Sequence, residues 1–109
     1  MEEGNRSAFR LSVLLYQQGI HWIAQCVEYD IAAQDESILK VVEAFQWVFY
    51  SHLLLDDQKG RTPLSTVPKA PQQFQELFKH GIPLGVESAI PNAGPRQTTS
   101  VQEEFRVAA

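Results

Sequence analysis

The chain has 109 residues, the length of one ordinary domain, and 44% of them are hydrophobic against 20% charged, as in a folded globular protein. Its net charge is −4, with Lys and Arg scattered singly. Because direct nucleic-acid binding needs a clustered basic face, this charge pattern argues against it.

The single cysteine, Cys26, excludes an internal disulfide and a Cys-x-x-Cys zinc site. Its apolar surroundings predict a small buried side chain. Residues 1–7 lack the cationic and apolar regions of a signal peptide, and no apolar run approaches the ~18 residues of a membrane span. We therefore expect a cytoplasmic protein that does not enter a membrane.

Three strands are predicted in the first third of the chain. Apolar and polar residues alternate over 8–16, Gly19 supplies a turn, and 21–27 is rich in aromatic and β-branched residues, which together predict a β-hairpin. A short third strand is expected over 31–34.

A very apolar helix is predicted over 38–54. Ser37 is its expected N-cap, and Asp35 and Glu36 suit the positive end of the helix dipole. Its core-facing stripe comprises Ile38, Val42, Phe45, Phe49 and Leu53. The solvent-facing side shrinks to Lys40, Glu43, Gln46 and Tyr50, so one small sheet is not expected to cover the helix.

Three residues of this helix lie away from the core-facing stripe: Trp47, Tyr50 and Leu54. Large side chains of this kind commonly anchor interfaces. They are the predicted contact of a homo-oligomer, a dimer or a larger assembly.

The sequence predicts a single domain built around a unit at 8–57. Residues 58–81 are expected to form a linker and a short helix packed on the same domain, because Pro71 suits a first helical turn and Gly81 a helix stop. Residues 82–109 form a tail rich in Pro and Gly. Its end, 101–107, is compatible with a last strand in which Val101, Phe105 and Val107 lie on the same side as Glu103.

Catalytic and cofactor signatures are missing from the sequence. His21, His52 and His80 fall on three different predicted elements, which argues against a metal site. The acids Glu28, Asp30, Asp35 and Glu36 cluster in sequence and allow three interpretations: a turn plus a helix cap, an acidic rim for a basic partner, or a catalytic pair. With no nucleophile nearby, we expect no enzyme activity, no metal and no cofactor.

A specific pattern of residues accompanies this order of predicted elements. The stretch 21–28, His-Trp-Ile-Ala-Gln-Cys-Val-Glu, is followed by 30–34, Asp-Ile-Ala-Ala-Gln, and by the Ser37 cap. From Phe9 to Phe49 this pattern resembles the HicB-like antitoxin domain, over a little under half of the chain. It departs from the family at Gln34 and Ser37, where Gly and Thr are usual, and nothing after Gly60 resembles the family's DNA-binding tail.

The resemblance implies an α+β fold with an antiparallel β-β-β-α unit, a partial RNase-H-like sheet without that fold's catalytic acids. It implies an oligomeric, cytoplasmic, prokaryotic antitoxin of a type II toxin–antitoxin pair, which neutralises a small, basic, RNA-cleaving toxin. The partner-binding residues expected on this basis are Trp22, Glu28, Tyr29, Asp30, Asp35 and Glu36.

Two other functions stay open on the sequence alone. One is a structural or regulatory homo-oligomer without a toxin partner, suggested by the over-apolar helix. The other is a hydrolase or nuclease that uses the acid cluster of Glu28, Asp30, Asp35 and Glu36.

Overall fold

The computed structural model describes residues 7–86 and 99–109 and has an α+β architecture with one mixed sheet and two helices. The elements in chain order are β1 (Ser7–Gln18), β2 (His21–Cys26), β3 (Ala32–Asp35), α1 (Ile38–Gln58), α2 (Gln72–Lys79), β4 (Ile82–Leu84) and β5 (Thr99–Val107). The predicted β-β-β-α order is therefore confirmed.

The sheet has the strand order β3-β2-β1-β5-β4. β1, β2 and β3 form an antiparallel meander, in which Gln18 lies opposite His21 across a two-residue turn. Gly19 adopts a positive φ of 64° at the first turn position, as type II′ hairpin turns require. The meander is the antiparallel unit that the alternation of apolar residues predicts.

β5 lies beside β1 and runs parallel to it, with Phe9 opposite Val101 and Leu15 opposite Val107. The last predicted strand is thus present and extends from Thr99. β4 was not predicted, because a three-residue strand containing Pro83 has no sequence signature. It pairs antiparallel with β5 at the sheet edge, where a proline without an N–H is tolerated.

α1 packs on one face of the sheet and forms the core with it. The rings of Phe45 and Phe105 meet edge-on with centroids 6.1 Å apart, and those of Phe9 and Phe49 do so at 5.8 Å. Ser37 is the predicted N-cap, and its side chain accepts a hydrogen bond from the Lys40 N–H. The helix continues to Gln58, four residues beyond its expected end.

One residue that the sequence places on the solvent-facing side of this helix is buried. Gln46 is 1% exposed, and its Nε2 donates a 2.9 Å hydrogen bond to Oε1 of Glu103 on β5. The prediction for Gln46 was wrong because its partner comes from 57 residues away in the chain. Tyr50, assigned to the same side, is half-buried.

The loop after α1 is held by a buried carboxylate. Asp56 accepts hydrogen bonds from the Arg61 side chain at 3.1 Å and from the Leu64 N–H at 2.7 Å. Leu64 is buried in the core and has a positive φ of 61°, which is strained for a branched side chain. The Asp56 contact holds Leu64 in this conformation.

α2 packs on the opposite face of the sheet from α1. Phe74 stacks on Tyr16 of β1, and the Arg106 guanidinium lies 4.5 Å from the centre of the Phe78 ring. Leu14, which alternates with the core residues of β1, is fully buried on this second face. The sheet is therefore covered by a long helix on one side and a short helix on the other.

By length and composition alone, α1 is a helix apolar enough to cross a membrane, the one such helix in the part of the chain that the structure describes. Seven of its residues are buried against the rest of the protein. These seven are a third of its 21 residues and include the core rings of Phe45 and Phe49, and the compact α+β fold is compatible with a soluble protein.

Candidate protein-binding site

The residues predicted to bind a partner fall at two ends of β3. Trp22 and Asp35 lie opposite each other where β3 ends, and Glu36 follows. The other three, Glu28, Tyr29 and Asp30, lie in the connection that precedes β3. Because β3 has four residues, roughly 10 Å of strand separates the two groups, and the four acids do not form one cluster.

Glu28 is engaged inside the protein. Its Oε1 accepts a hydrogen bond from the Ser12 N–H at 2.7 Å, and its Oε2 accepts one from the Ser12 hydroxyl at 2.8 Å. The Cys26 thiol lies 3.7 Å from Oε1. Burial raises the pKa of Cys26 to about 12, so the thiol stays protonated at neutral pH. The carboxylate of Glu28 therefore ties the β2–β3 connection to β1.

Asp30 and Tyr29 also have internal partners. Asp30 Oδ1 accepts a 3.0 Å hydrogen bond from the Gln25 side chain, and its N–H donates to the Pro68 carbonyl at 2.7 Å. The Tyr29 ring meets Phe9 edge-on at 6.1 Å. These contacts favour the turn interpretation of this segment. In the described residues, no three His, Cys, Asp or Glu side chains are placed to hold a metal ion.

The residues predicted for oligomer contact do come together on one side of α1. Trp47 and Tyr50 meet edge-on with ring centroids 5.9 Å apart, and Trp47 is 44% exposed. Leu54 and the 74% exposed Leu39 continue the same side, since these positions are separated by whole helical turns. We call Leu39, Glu43, Trp47, Tyr50 and Leu54 the outer stripe.

Among the residues that the structure describes, no element lies over the part of the sheet beside the outer stripe on the α1 side. α1 makes its closest backbone contacts with β3 and β2. A helix is about 10 Å wide, whereas five strands at about 4.8 Å spacing span about 19 Å. Ile82 on β4 and Val101 on β5 face the α1 side by register, and they are 60% and 39% exposed.

Glu103 lies at the floor between the helix and this uncovered part of the sheet. It shares the α1 side of β5 with Val101 and Phe105 and meets Gln46 of α1. Burial raises the pKa of its carboxyl group, and the hydrogen bond from Gln46 lowers it by less. One feature of the sequence points to Glu103: it is a carboxylate on the same side of an apolar strand as the core-facing residues.

We call the space between these two walls the α1–β5 groove. One wall is the part of the outer stripe beside Gln46, which carries Leu39, Glu43 and Tyr50, and the other is formed by Ile82, Leu84, Val101, Glu103 and Val107. The charges in the two walls are the carboxylates of Glu43 and Glu103, with Asp57 one turn beyond the stripe, and the described walls contribute no Lys or Arg. The groove is thus apolar and acidic, which suits contact with a cationic protein surface.

Comparisons with protein-family models, with curated proteins and with solved structures find no match to this chain.

Proposed function

We propose that this protein is a HicB-like protein-binding module, the antitoxin of a type II toxin–antitoxin pair that neutralises a small, basic, RNA-cleaving toxin. On this proposal it is a prokaryotic, cytoplasmic protein with a partial RNase-H-like fold, and it acts by covering its partner without catalysis. The toxin is its cellular partner.

The observation that carries this proposal is the meander β1-β2-β3 followed by the Ser37-capped α1. It has the element order of the family that the stretch 21–37 resembles. Ser12 donates a hydrogen bond to Glu28, and Gln25 donates one to Asp30. These contacts favour a structural role for the two acids over a reactive pair. Both features favour a module that works through its surface.

The surface also favours a basic partner. Asp35 and Glu36 lie just before α1, and Glu43 lies on its outer stripe beside the aromatic pair of Trp47 and Tyr50. Carboxylates beside a partly exposed aromatic side chain complement a cationic protein and speed its association.

A homo-oligomer with a structural or regulatory role is the second candidate function. The edge-on pair of Trp47, which is 44% exposed, and the half-buried Tyr50 favours it, because such aromatic side chains anchor interfaces between copies as readily as interfaces between different proteins.

The test of the antitoxin proposal is co-expression. In the native genome, the small basic protein encoded beside this chain is expressed alone in a bacterial host, and then together with this chain. We expect growth arrest and RNA cleavage in the first case and restored growth in the second.

Two outcomes would overturn the antitoxin proposal: no small basic reading frame adjoins the gene, or growth stays arrested although both proteins are soluble. A dimer or larger species of the purified chain in light scattering would then favour the homo-oligomer.

A further inference from the structure

The direction and the length of the α1–β5 groove indicate the shape of what it binds. Its walls follow α1 on one side and β5 on the other, and the exposed Leu39 and Ile82 lie towards the end where α1 begins and β5 ends. The distance along β5 from Val101 to Val107 is about 20 Å, which corresponds to about 13 residues of helix.

A helix is the element that fits such a space. The uncovered strands β5 and β4 are flanked by an existing helix, and a second helix beside α1 would complete the layer on this side of the sheet. Binding of an amphipathic helix in an apolar groove is a common mode of recognition, with anchors spaced by three or four residues.

The charges in the groove select the chemistry of that helix. Glu103 lies half-buried on the floor, and Glu43 lies one turn before Gln46 on the helical wall. Both carboxylates gain from a cation brought to them, and the apolar surroundings of Glu103 strengthen that attraction. A second copy of this chain would bring Glu43 of its own outer stripe against these acids, so the groove favours a cationic helix over a second copy, and the homo-oligomer candidate, whose contact lies on the same stripe, is an alternative occupant.

We propose that the α1–β5 groove binds an amphipathic helix of a basic partner protein, with apolar anchors against Leu39, Ile82 and Val101 and a Lys or Arg directed to Glu103. This inference rests on the proposed function for the identity of the partner, which would be the toxin. The groove itself is tested without the toxin.

The probe is a synthetic helical peptide of 14 residues with a Leu stripe at i, i+3, i+4 and i+7 and Lys on both sides of it. It is titrated into the full chain with methyl-labelled Leu, Ile and Val, observed by NMR. We expect shifts at the methyl groups of Leu39, Ile82 and Val101. We expect none at Ile20 in the hairpin turn or at Leu77 on α2, which are also exposed but lie outside the groove.

Matched probes and variants separate this site from general attraction to an acidic protein. A peptide with Glu in place of every Lys is expected to bind at least about tenfold more weakly. Glu103→Gln and Glu43→Gln are each expected to weaken Lys-peptide binding by about three- to fivefold. Glu76→Gln on α2 removes a carboxylate from the opposite face and is expected to leave binding unchanged.

The proposal is overturned if the largest shifts fall outside the groove, if both peptides bind equally, or if Glu76→Gln weakens binding as much as Glu103→Gln. It is also overturned if Leu39 and Ile82 are already protected from solvent in the free chain, because a second copy or a segment of this chain would then fill the groove. Failure of the toxin co-expression with a positive titration would refute the antitoxin role alone.

Discussion

Glu103 is a carboxylate placed on the apolar side of a strand, and Gln46 is its hydrogen-bond partner from the helix. Neither residue stands out by type in the sequence. Periodicity places Gln46 on the solvent side of α1, because a helical wheel contains no information on the strand that arrives 57 residues later. The sequence places Glu103 on the same side of the last strand as Val101 and Phe105. It does not predict that the carboxylate is buried, because that burial depends on the whole sheet.

The raised pKa of Glu103 makes a prediction about pH. The unfolded chain has a carboxyl pKa near 4.5, and burial raises it in the folded protein. The ionised form is therefore disfavoured by folding. Glu103 costs no stability below pH 4.5, and its cost grows as the pH rises through the folded pKa and persists above it. Glu103→Gln keeps an acceptor for Gln46 without the charge, so we expect a higher free energy of unfolding at pH 7.

Urea denaturation of the wild-type chain and Glu103→Gln at pH 4, 5.5 and 7 measures this effect. The two curves should agree best at pH 4 and separate at pH 7, while Glu43→Gln on the exposed side follows the wild type. A constant difference at all three pH values would show that the carboxylate is not disfavoured by burial.

Asp56 carries a second prediction at the scale of one residue. Asp56 is 4% exposed, and its carboxylate accepts a hydrogen bond from the Leu64 N–H, which holds a strained, buried leucine. Asp56→Ala leaves that N–H without a partner, and we expect a loss of about 2–3 kcal/mol of unfolding free energy. Asp56→Asn keeps one acceptor oxygen and should lose less. Thermal and urea unfolding provide the measurement, and equal losses for both variants would contradict the role given to this hydrogen bond.

At the scale of elements, α1 shows two faces with different roles. Its inner residues, such as Phe45, are completely buried among the rings of Phe49 and Phe105. On its outer stripe, Trp47 is 44% exposed, and the aromatic ring that it contacts among the described residues is its neighbour Tyr50. The excess of apolar residues in this helix therefore divides between the core and a surface suited to binding.

Paired truncations of α1 test that division. Phe45→Ala removes a fully buried ring, and we expect it to cost about 3–5 kcal/mol of unfolding free energy. Trp47→Ala removes an even larger side chain from the same helix, yet it should cost less, about 1–2 kcal/mol, because Trp47 is 44% exposed. Chemical denaturation of both variants decides the matter. A loss for Trp47→Ala comparable to that for Phe45→Ala would mean that the outer stripe is core.

The elements differ in how far their own residues predict them. β1, β2 and α1 are predicted because strong periodicity, the Gly19 turn and the Ser37 cap are local signals. β4 has no local signal, since it exists through pairing with β5. The position of α2 on the second face follows from Leu14 and Tyr16, which alternate with the core residues of β1 and need their own cover.

At the scale of the whole molecule, the sheet is covered unevenly. α1 covers the β3-β2 side most closely, α2 covers part of the opposite face, and no element within residues 7–86 and 99–109 covers the α1 side of β5 and β4. No sequence pattern within one element predicts this gap, because it depends on where a single helix settles on five strands. The candidate groove is therefore a property of the tertiary structure, while its individual apolar and acidic residues are visible in the sequence.

The central claim is that the protein acts by binding a basic partner in the α1–β5 groove. Its most direct test is calorimetric titration of the small basic protein encoded beside this chain into the wild type and the Glu43→Lys variant. Glu76→Lys, a charge reversal of the same kind on α2, is the matched control. We predict that Glu43→Lys weakens binding by at least about tenfold while Glu76→Lys stays within about twofold of wild type. Equal affinities for Glu43→Lys and wild type, or equal losses for both variants, would contradict the claim.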